Sequence, residues 1–250
     1  MKNKNVLFVF LIIAVVGVGI YFFSQSTPNA KAQGRVVFGI TDAAEDMRDV
    51  SSILITVDKV EIHNINGWVE VSNEVKQYDL LVLKKSGAVA LLTSANIDAG
   101  TYDQVRLMVS KVIVIKNGVE IEAKLPSSEL KIVGNIIVNT DKTSSVVFDF
   151  LADQSLHMTG NGKLIFAPVI KISKYNNVNI ELKSNNEIVI KDGEKEDDED
   201  VGMDEKGEFK NNFRLEGKFE IGEDDDIKDD DDDDNDQDDD DNGSEIKTED

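Results

Sequence analysis

Residues 53–64 read ILITVDKVEIHN, and the rhythm of this stretch decides the fold. Ile53, Ile55 and Val57 stand at alternate positions, so in a β-strand they share one face. Val60 and Ile62 keep the alternation but on the other parity, which predicts a bulge or bend near Asp58-Lys59. The next residues, INGWVEVS (65–72), return as a hairpin partner, with Asn66-Gly67 supplying the positive φ of a tight turn.

The same rhythm extends in both directions. RVVFGI (35–40) reads as a first strand and YDLLVL (78–83) as a short apolar run. Residues 102–125 give two strands around Asn117-Gly118, and LKIVGNIIVN, SSVVFDFL and GKLIFAPVIKIS follow. Helical signal is confined to GAVALLTSANID (87–98). Short strands separated by turn chemistry predict an all-β domain over 34–175. The expected form is an antiparallel β-sandwich of immunoglobulin- or transthyretin-like kind, with a barrel as the other closure of such strands. At ~25 cal/mol per Å² of apolar area, so many half-buried Val, Ile and Leu offset much of the chain entropy. Beyond it, residues 176–222 read as trailing hairpins and an acidic linker. VNIELKSNNEIVIKDG (178–193) turns at Ser184-Asn185-Asn186, EKEDDEDVGMDEKGE (194–208) reads as solvated linker, and FRLEGKFEI (213–221) alternates briefly. Residues 223–250 form an Asp-rich tail whose composition predicts disorder.

Charge follows these boundaries. Residues 1–33 carry three Lys and no acid, 34–183 carry 16 Lys/Arg against 18 Asp/Glu, and 184–250 carry 8 against 31. The net charge of −22 therefore belongs to the tail, and the β-region is nearly neutral. Nucleic acid is excluded as a partner, because its binders need clustered Lys/Arg and a polyanionic tail repels phosphates. The chain has no cysteine, so disulfides and thiolate metal sites are excluded as well. Lys2 and Lys4 precede an uncharged apolar run at 6–23, which as a helix reaches roughly 27 Å, close to the ~30 Å hydrocarbon core. Ala30-Lys31-Ala32 then fits a signal-peptidase site. Two readings stay open: a signal peptide cleaved after Ala32, or an N-terminal hydrophobic helix that anchors the chain in the membrane. Both put the domain outside, on the cell membrane or secreted.

Several stretches carry a family resemblance: GITDAAEDM, VDKVEIH followed by Gly67-Trp68, YDLLVL, IDAGTYDQVRLMV, LPSSELKIV, FDFLADQSL and FAPVIKI. In this order and spacing, over about 35–173, the chain resembles domain-of-unknown-function family 4382 (DUF4382). The resemblance implies an exported or lipid-anchored β-sandwich with no established activity or catalytic residues. One departure is Thr41-Asp42-Ala43-Ala44, where the family often has Thr-Asp-Ala-Pro.

The residues within these stretches have physical readings of their own. Tyr102 offers a ring to the core and a hydroxyl to the rim. Pro126 stops a strand, and Ser127 and Ser128 can satisfy loose amides in the turn. Arg106, inside an apolar strand, is expected to pair with an acid, with Asp149 the candidate.

Chemistry is sparse. No Gly-x-Ser-x-Gly occurs, and TGNGK (159–163) reads as a hairpin turn, not a phosphate loop. His63 and His157 are the only histidines, and a histidine metal site needs both rings together with a carboxylate. Asp42, Glu45, Asp46 and Asp49 are candidate calcium ligands, since calcium takes six to eight oxygens from such loops. The competing reading makes Asp42 the cap of a turn at 43–48. Asp238, Asp240, Asn242, Gly243 and Glu249 match EF-hand positions, but Glu245 stands where an apolar residue belongs and no helix pattern flanks them. That match is read as chance, leaving weak, diffuse Ca²⁺ attraction by the aspartate run. Trp68 and Tyr78 are candidate ligand-binding residues, able to stack on a sugar ring if exposed side by side; the other reading puts Trp68 in the core. The expected function is non-catalytic binding or adhesion to a glycan or protein at the cell surface. The alternatives are a calcium-dependent structural or cation-sequestering protein and a hydrolase with a dispersed site.

Overall fold

A computed structural model describes residues 31–45, 47–204 and 206–211. The first sheet draws on β1 (Gln33–Asp42), β5 (Val89–Asp98), β9 (Thr143–Phe150), β12 (Val169–Asn176), β13 (Asn179–Leu182), β14 (Glu187–Lys191), β15 (Glu194–Lys195), β16 (Glu199–Met203) and β17 (Phe209–Asn211). Its strands run β13-β14-β5-β1-β9-β12-β16-β17, with β15 beside the end of β12. The second sheet is built on two long strands, β2 (Val50–Asn64) and β6 (Gly100–Lys116). β3 (Gly67–Ser72) and β4 (Lys76–Asp79) share the outer edge of β2, while β7 (Val119–Ala123) and β8 (Glu129–Val138) share that of β6. A small hairpin joins β10 (Leu156–Met158) to β11 (Leu164–Phe166), with 159–163 as its turn. Among the described residues the helices are α1 (Leu80–Ser86) and α2 (Ala152–Ser155).

The parity change in β2 is real. Ile53, Ile55 and Val57 are buried, then Val60 and Ile62, and the pairing with β6 shifts register on both sides of Val57. The bulge lets one strand keep its apolar side inward through a bend while it pairs with β6 along one edge and with β3 and β4 along the other. Buried residues of both sheets form a single core, with Phe38 of β1 and Phe148 of β9 stacked at 6.0 Å. Asn117 and Gly118 both take positive φ, 50° and 76°, in the turn from β6 to β7. Tyr102 has its ring buried and its hydroxyl donating to the Asp98 carbonyl at 2.8 Å.

Four expectations need correction. The strands are not all antiparallel: β1 and β9 pair in parallel, from Arg35 with Thr143 to Asp42 with Phe150. Alternation reports which face a side chain takes and is silent on strand direction, and the whole second sheet lies between β1 and β9 in sequence, long enough for a crossover. The helix expected within 87–98 is strand β5, and the helix lies one step earlier. Asp79 caps α1 by accepting from the Leu81 and Val82 amides, Leu80 is buried, and Gly87 ends the helix at φ 62°. Pairing with β1 along eight positions overrides the helix propensity of the alanines in β5. The supposed linker at 194–208 contains β15 and β16, with Val201 and Met203 buried in the core. Its acidic residues masked two apolar side chains that point inward. The sheet therefore continues past 175, to Asn211. Finally, Arg106 does not pair with Asp149; its partners are described below.

Among the described residues no helix is long and apolar enough to cross a membrane. The run at 6–23, the cleavage motif at 30–32 except for its last two residues, and the tail at 223–250 with its EF-hand-like match lie outside the described residues.

Candidate functional site

The outward face of the second sheet gathers the polar residues that the core rejects. With Val60 and Ile62 inward, Lys59, Glu61 and His63 of β2 must face out, and with Val105 and Leu107 inward, Gln104 and Arg106 of β6 do the same. The two-residue loop at Ile65-Asn66 sets His63 of β2 opposite Trp68 of β3, and the β2–β6 register sets His63 opposite Gln104 and Glu61 opposite Arg106. β8 adds Lys131 opposite Arg106 and Val133 opposite Gln104. The face is thus four strands wide, about 14 Å across at ~4.8 Å per strand.

Trp68 lies at its centre of interaction. The Arg106 guanidinium sits 3.8 Å from the centre of the Trp68 ring, and the His63 ring packs against it at 5.0 Å, tilted by 58°. Such stacking of Arg on Trp is worth about 0.5–2 kcal/mol, more as water is excluded. Trp68 nevertheless remains 37 % exposed, so it is neither a core residue nor a free one. Arg106 Nε and Nη1 each stand 3.5 Å from a carboxylate, of Glu61 and Glu129 respectively. Its Nε makes no hydrogen bond. His63 Nδ1 and Asp103 Oδ1 are 2.7 Å apart. Lys59 bridges Glu61 at 2.7 Å and Glu70 at 3.0 Å.

An open trough of about 350 Å³ runs alongside, with Gln104, Glu129, Lys131 and Val133 as floor and Ser127, Gly207 and Glu208 as wall. The wall is pinned in place. Asp204 Oδ1 accepts from the Lys206 and Glu208 amides at 3.0 Å, and a Cβ on Gly207 would come within 2.9 Å of Ser127 Cβ. Gln104 and Glu129 belong both to the trough and to the ring of residues around Trp68 and Arg106, which joins the two into one surface.

The sequence-derived candidates fare differently. Tyr78 pairs with Ile55 of β2, whereas Trp68 pairs with His63, eight residues further along. They are some 25 Å apart along the strand at ~3.3 Å per residue, so the structure does not bring them together. Tyr78 is half-buried, donates to the Leu91 carbonyl at 3.0 Å, and burial pushes its hydroxyl well above the usual range. In the 41–49 loop, Asp42 turns inward while Glu45 and Asp49 are exposed, and Asp46 lies outside the described residues. Asp42 Oδ1 accepts from the Ala44 and Ala152 amides, both at 3.1 Å, so it ties the loop to the start of α2 instead of facing its acidic neighbours. His157 sits in the β10–β11 hairpin and His63 at the end of β2 in the second sheet. Among the described residues no three His, Cys, Asp or Glu side chains gather to hold a metal. Sequence reasoning missed the grouping of Trp68, His63 and Arg106. A turn at Asn66-Gly67 would set Ile65 against Trp68; the loop closes one residue earlier, at Ile65-Asn66, and that shift is what sets His63 there.

No curated protein and no solved structure matches the chain. The family model described as "Domain of unknown function (DUF4382)" matches residues 33–168, more than half of the sequence, and it covers every strand of the second sheet together with β1, β5 and β9 of the first. The chain belongs to that family.

Proposed function

We propose that this protein is a non-catalytic binding module of the cell envelope, an immunoglobulin- or transthyretin-like sandwich carried outside the membrane. Residues 6–23 either hold it there or are removed after Ala32, and the Asp-rich tail adds a polyanionic segment. The observation that carries the reading is the exposed yet braced Trp68, fixed by Arg106 and His63, with Glu129 shared between the Arg106 ion pair and the lining of an open trough. Binding surfaces favour an aromatic ring whose position is already fixed, because less side-chain freedom is lost on contact. The trough is open rather than enclosed, which suits a segment of a surface polymer better than a small metabolite. His63 lies against Asp103 through Nδ1 and packs its ring on Trp68, an arrangement that supports the indole. The β-region through Asn211 carries 20 Lys/Arg against 29 Asp/Glu, and this excess of acid, continued by the tail, argues against nucleic acid.

The test is co-sedimentation of the full chain with insoluble envelope polymers, glycan and protein, at micromolar concentration. Retention on at least one polymer without release of soluble fragments is expected. Failure to be retained on any of them refutes a binding module, and release of fragments refutes a non-catalytic one.

A further inference from the structure

The hairpin from β2 to β3 carries a residue that a water-facing turn does not favour. Ile65 opens the two-residue loop Ile65-Asn66 and is 98 % exposed. Tight turns prefer Gly, Asn, Asp and Ser, whose side chains suit both the backbone and water. The other hairpins among the described residues follow that preference, with polar residues and glycine alone at 117–118, 159–163, 183–186 and 204–208.

The place of this tip in the fold says what it meets. The Ala32 carbonyl accepts from the Ala99 amide at 2.7 Å where the chain enters the domain, and Gly100 starts β6 beside it. His63 lies opposite Gln104 of β6, so Ile65 and Asn66 stand beyond it, level with the first residues of β6 and with the entry point. More apolar surface is exposed at the same end: Trp68 stands just behind the loop, and Ile137 of β8, opposite Thr101, is 40 % exposed. Asp98 and Asp103 at this end are offset by Lys31 at 2.8 Å and His63 at 2.7 Å. Seven residues, 24–30, separate the apolar run at 6–23 from Lys31, a reach of at most about 25 Å.

We infer that the β2–β3 tip is a lipid contact: with residues 6–23 held in the bilayer, Ile65 enters the leaflet on the domain's side and Trp68 lies at head-group level. One Ile is too small to hold a free protein on a membrane, but a tether keeps the lipid within reach at high effective concentration. Trp suits the interface because its ring is amphipathic. A partner arriving from solution has no such tether. The inference rests on the retained-anchor form of the reading above and adds a second attachment, which lays this end of the domain against the membrane and leaves the 117–118 turn facing away.

The experiment places the full chain in phosphatidylcholine vesicles made with ordinary or acyl-brominated lipid and follows Trp68, the only tryptophan of the chain. Flotation with the vesicles and loss of Trp68 emission in brominated lipid are expected. Ile65→Asp should float and melt as the parent does and regain the emission, whereas Val119→Asp, at the far end of β6, should stay quenched. A floating chain whose emission bromine leaves unchanged refutes the tip contact while the anchor stands. A chain that does not float refutes the anchor and the tip contact with it. Quenching that Ile65→Asp leaves intact overturns the role of Ile65. Shielding of Trp68 from acrylamide that grows with the number of chains per vesicle, without quenching by bromine, assigns the tip to a second copy and overturns the lipid contact.

Discussion

Asp42 gives the sharpest test of the physical account. It ends β1 with 4 % of its surface exposed, at the close of the sheet where α2 begins. Its Oδ1 takes two backbone amides, but Oδ2 is buried and makes no hydrogen bond. Burial therefore dominates, and with the charges of Asp149 and Asp153 acting in the same direction it outweighs the amides and lifts the carboxyl from 3.8 to about 6. A carboxyl raised in the folded state binds its proton more tightly folded than unfolded. Its contribution to stability is thus full at acid pH, falls as pH rises from about 4 through 6, and is constant above that. At ~1.4 kcal/mol per tenfold change in proton affinity the loss is about 3 kcal/mol, and solvent reaching the rim of the sheet cuts it to about 2 kcal/mol. Asp42→Asn keeps the Oδ1 acceptor and cannot ionise, although its new NH₂ is a buried donor costing about 1 kcal/mol at every pH. The decisive quantity is consequently the slope. Between pH 4 and 7.5 the parent should lose about 2 kcal/mol more than the variant, or roughly 4–8 °C in Tm. Asp149, which burial also raises, repels Asp42, so the difference between the two chains includes the relief of that repulsion. Urea or thermal unfolding across that range measures the difference directly. Parallel pH profiles for parent and Asp42→Asn would refute the assignment of an uncompensated buried carboxylate.

Three further outcomes follow from particular contacts. Asp79→Ala removes the cap of α1 and the acceptor of the Ser52 hydroxyl at 2.7 Å, and should cost about 1–2 kcal/mol in urea unfolding. Gly34→Ala places a Cβ 2.2 Å from the Asn139 carbonyl and 2.7 Å from Val138 Cγ1, a backbone clash at the start of β1. It should cost about 2–4 kcal/mol, visible as a drop in Tm of several degrees, whereas an unchanged Tm would mean that the 138–142 turn gives way freely. A chain ended at Pro168 keeps the family segment but loses β12, whose Ile170 and Ile172 are buried against β9. It should fail to show cooperative unfolding, since the missing strand and its cover amount to the whole of a typical 5–15 kcal/mol stability.

Most strands were legible because a half-buried strand writes its inner face at every second residue, as β2, β6 and β8 do. The same signal failed in two places for one reason: it is carried by apolar side chains alone. In β16 only Val201 and Met203 reach the core, and the acids around them erased the pattern. In β5 the alanines imitate a helix former, and only pairing with β1 decides the matter. Sequence also gave no sign that β9 runs parallel to β1, since direction is set by where the chain returns and not by which side a residue faces. For the site, the individual residues were visible and their company was not. Residue type alone suggests Tyr78 as the companion of Trp68 and Asp149 as the partner of Arg106. Asp149 lies outward on the first sheet beside Lys171, while Arg106 lies outward on the second. Charge pairing across a sandwich is blocked by the core between the two outward faces.

The division of labour within the site follows from the same topology. Trp68, His63, Arg106 and the trough floor all stand on β2, β3, β6 and β8, inside the stretch that matches the family model. The far wall, Gly207 and Glu208, comes from the turn between β16 and β17, about forty residues beyond it, and reaches the trough only because β12 and β16 extend the first sheet in that direction. The floor is therefore bound to the fold: its side chains face out because their neighbours face in, and altering their register would turn the core inside out. The wall carries no such obligation, resting on Ser127 through a glycine and on one capping aspartate. On the binding-module reading, changes at Glu208 should accordingly alter which ligand is held while leaving the fold untouched. Changes at Arg106 should do both, since removing it leaves Glu61 and Glu129 without their shared cation and Trp68 without its brace. On the binding-module reading proposed above, a surface assembled this way can vary in the turn while the residues on β2, β3, β6 and β8 stay fixed by the fold.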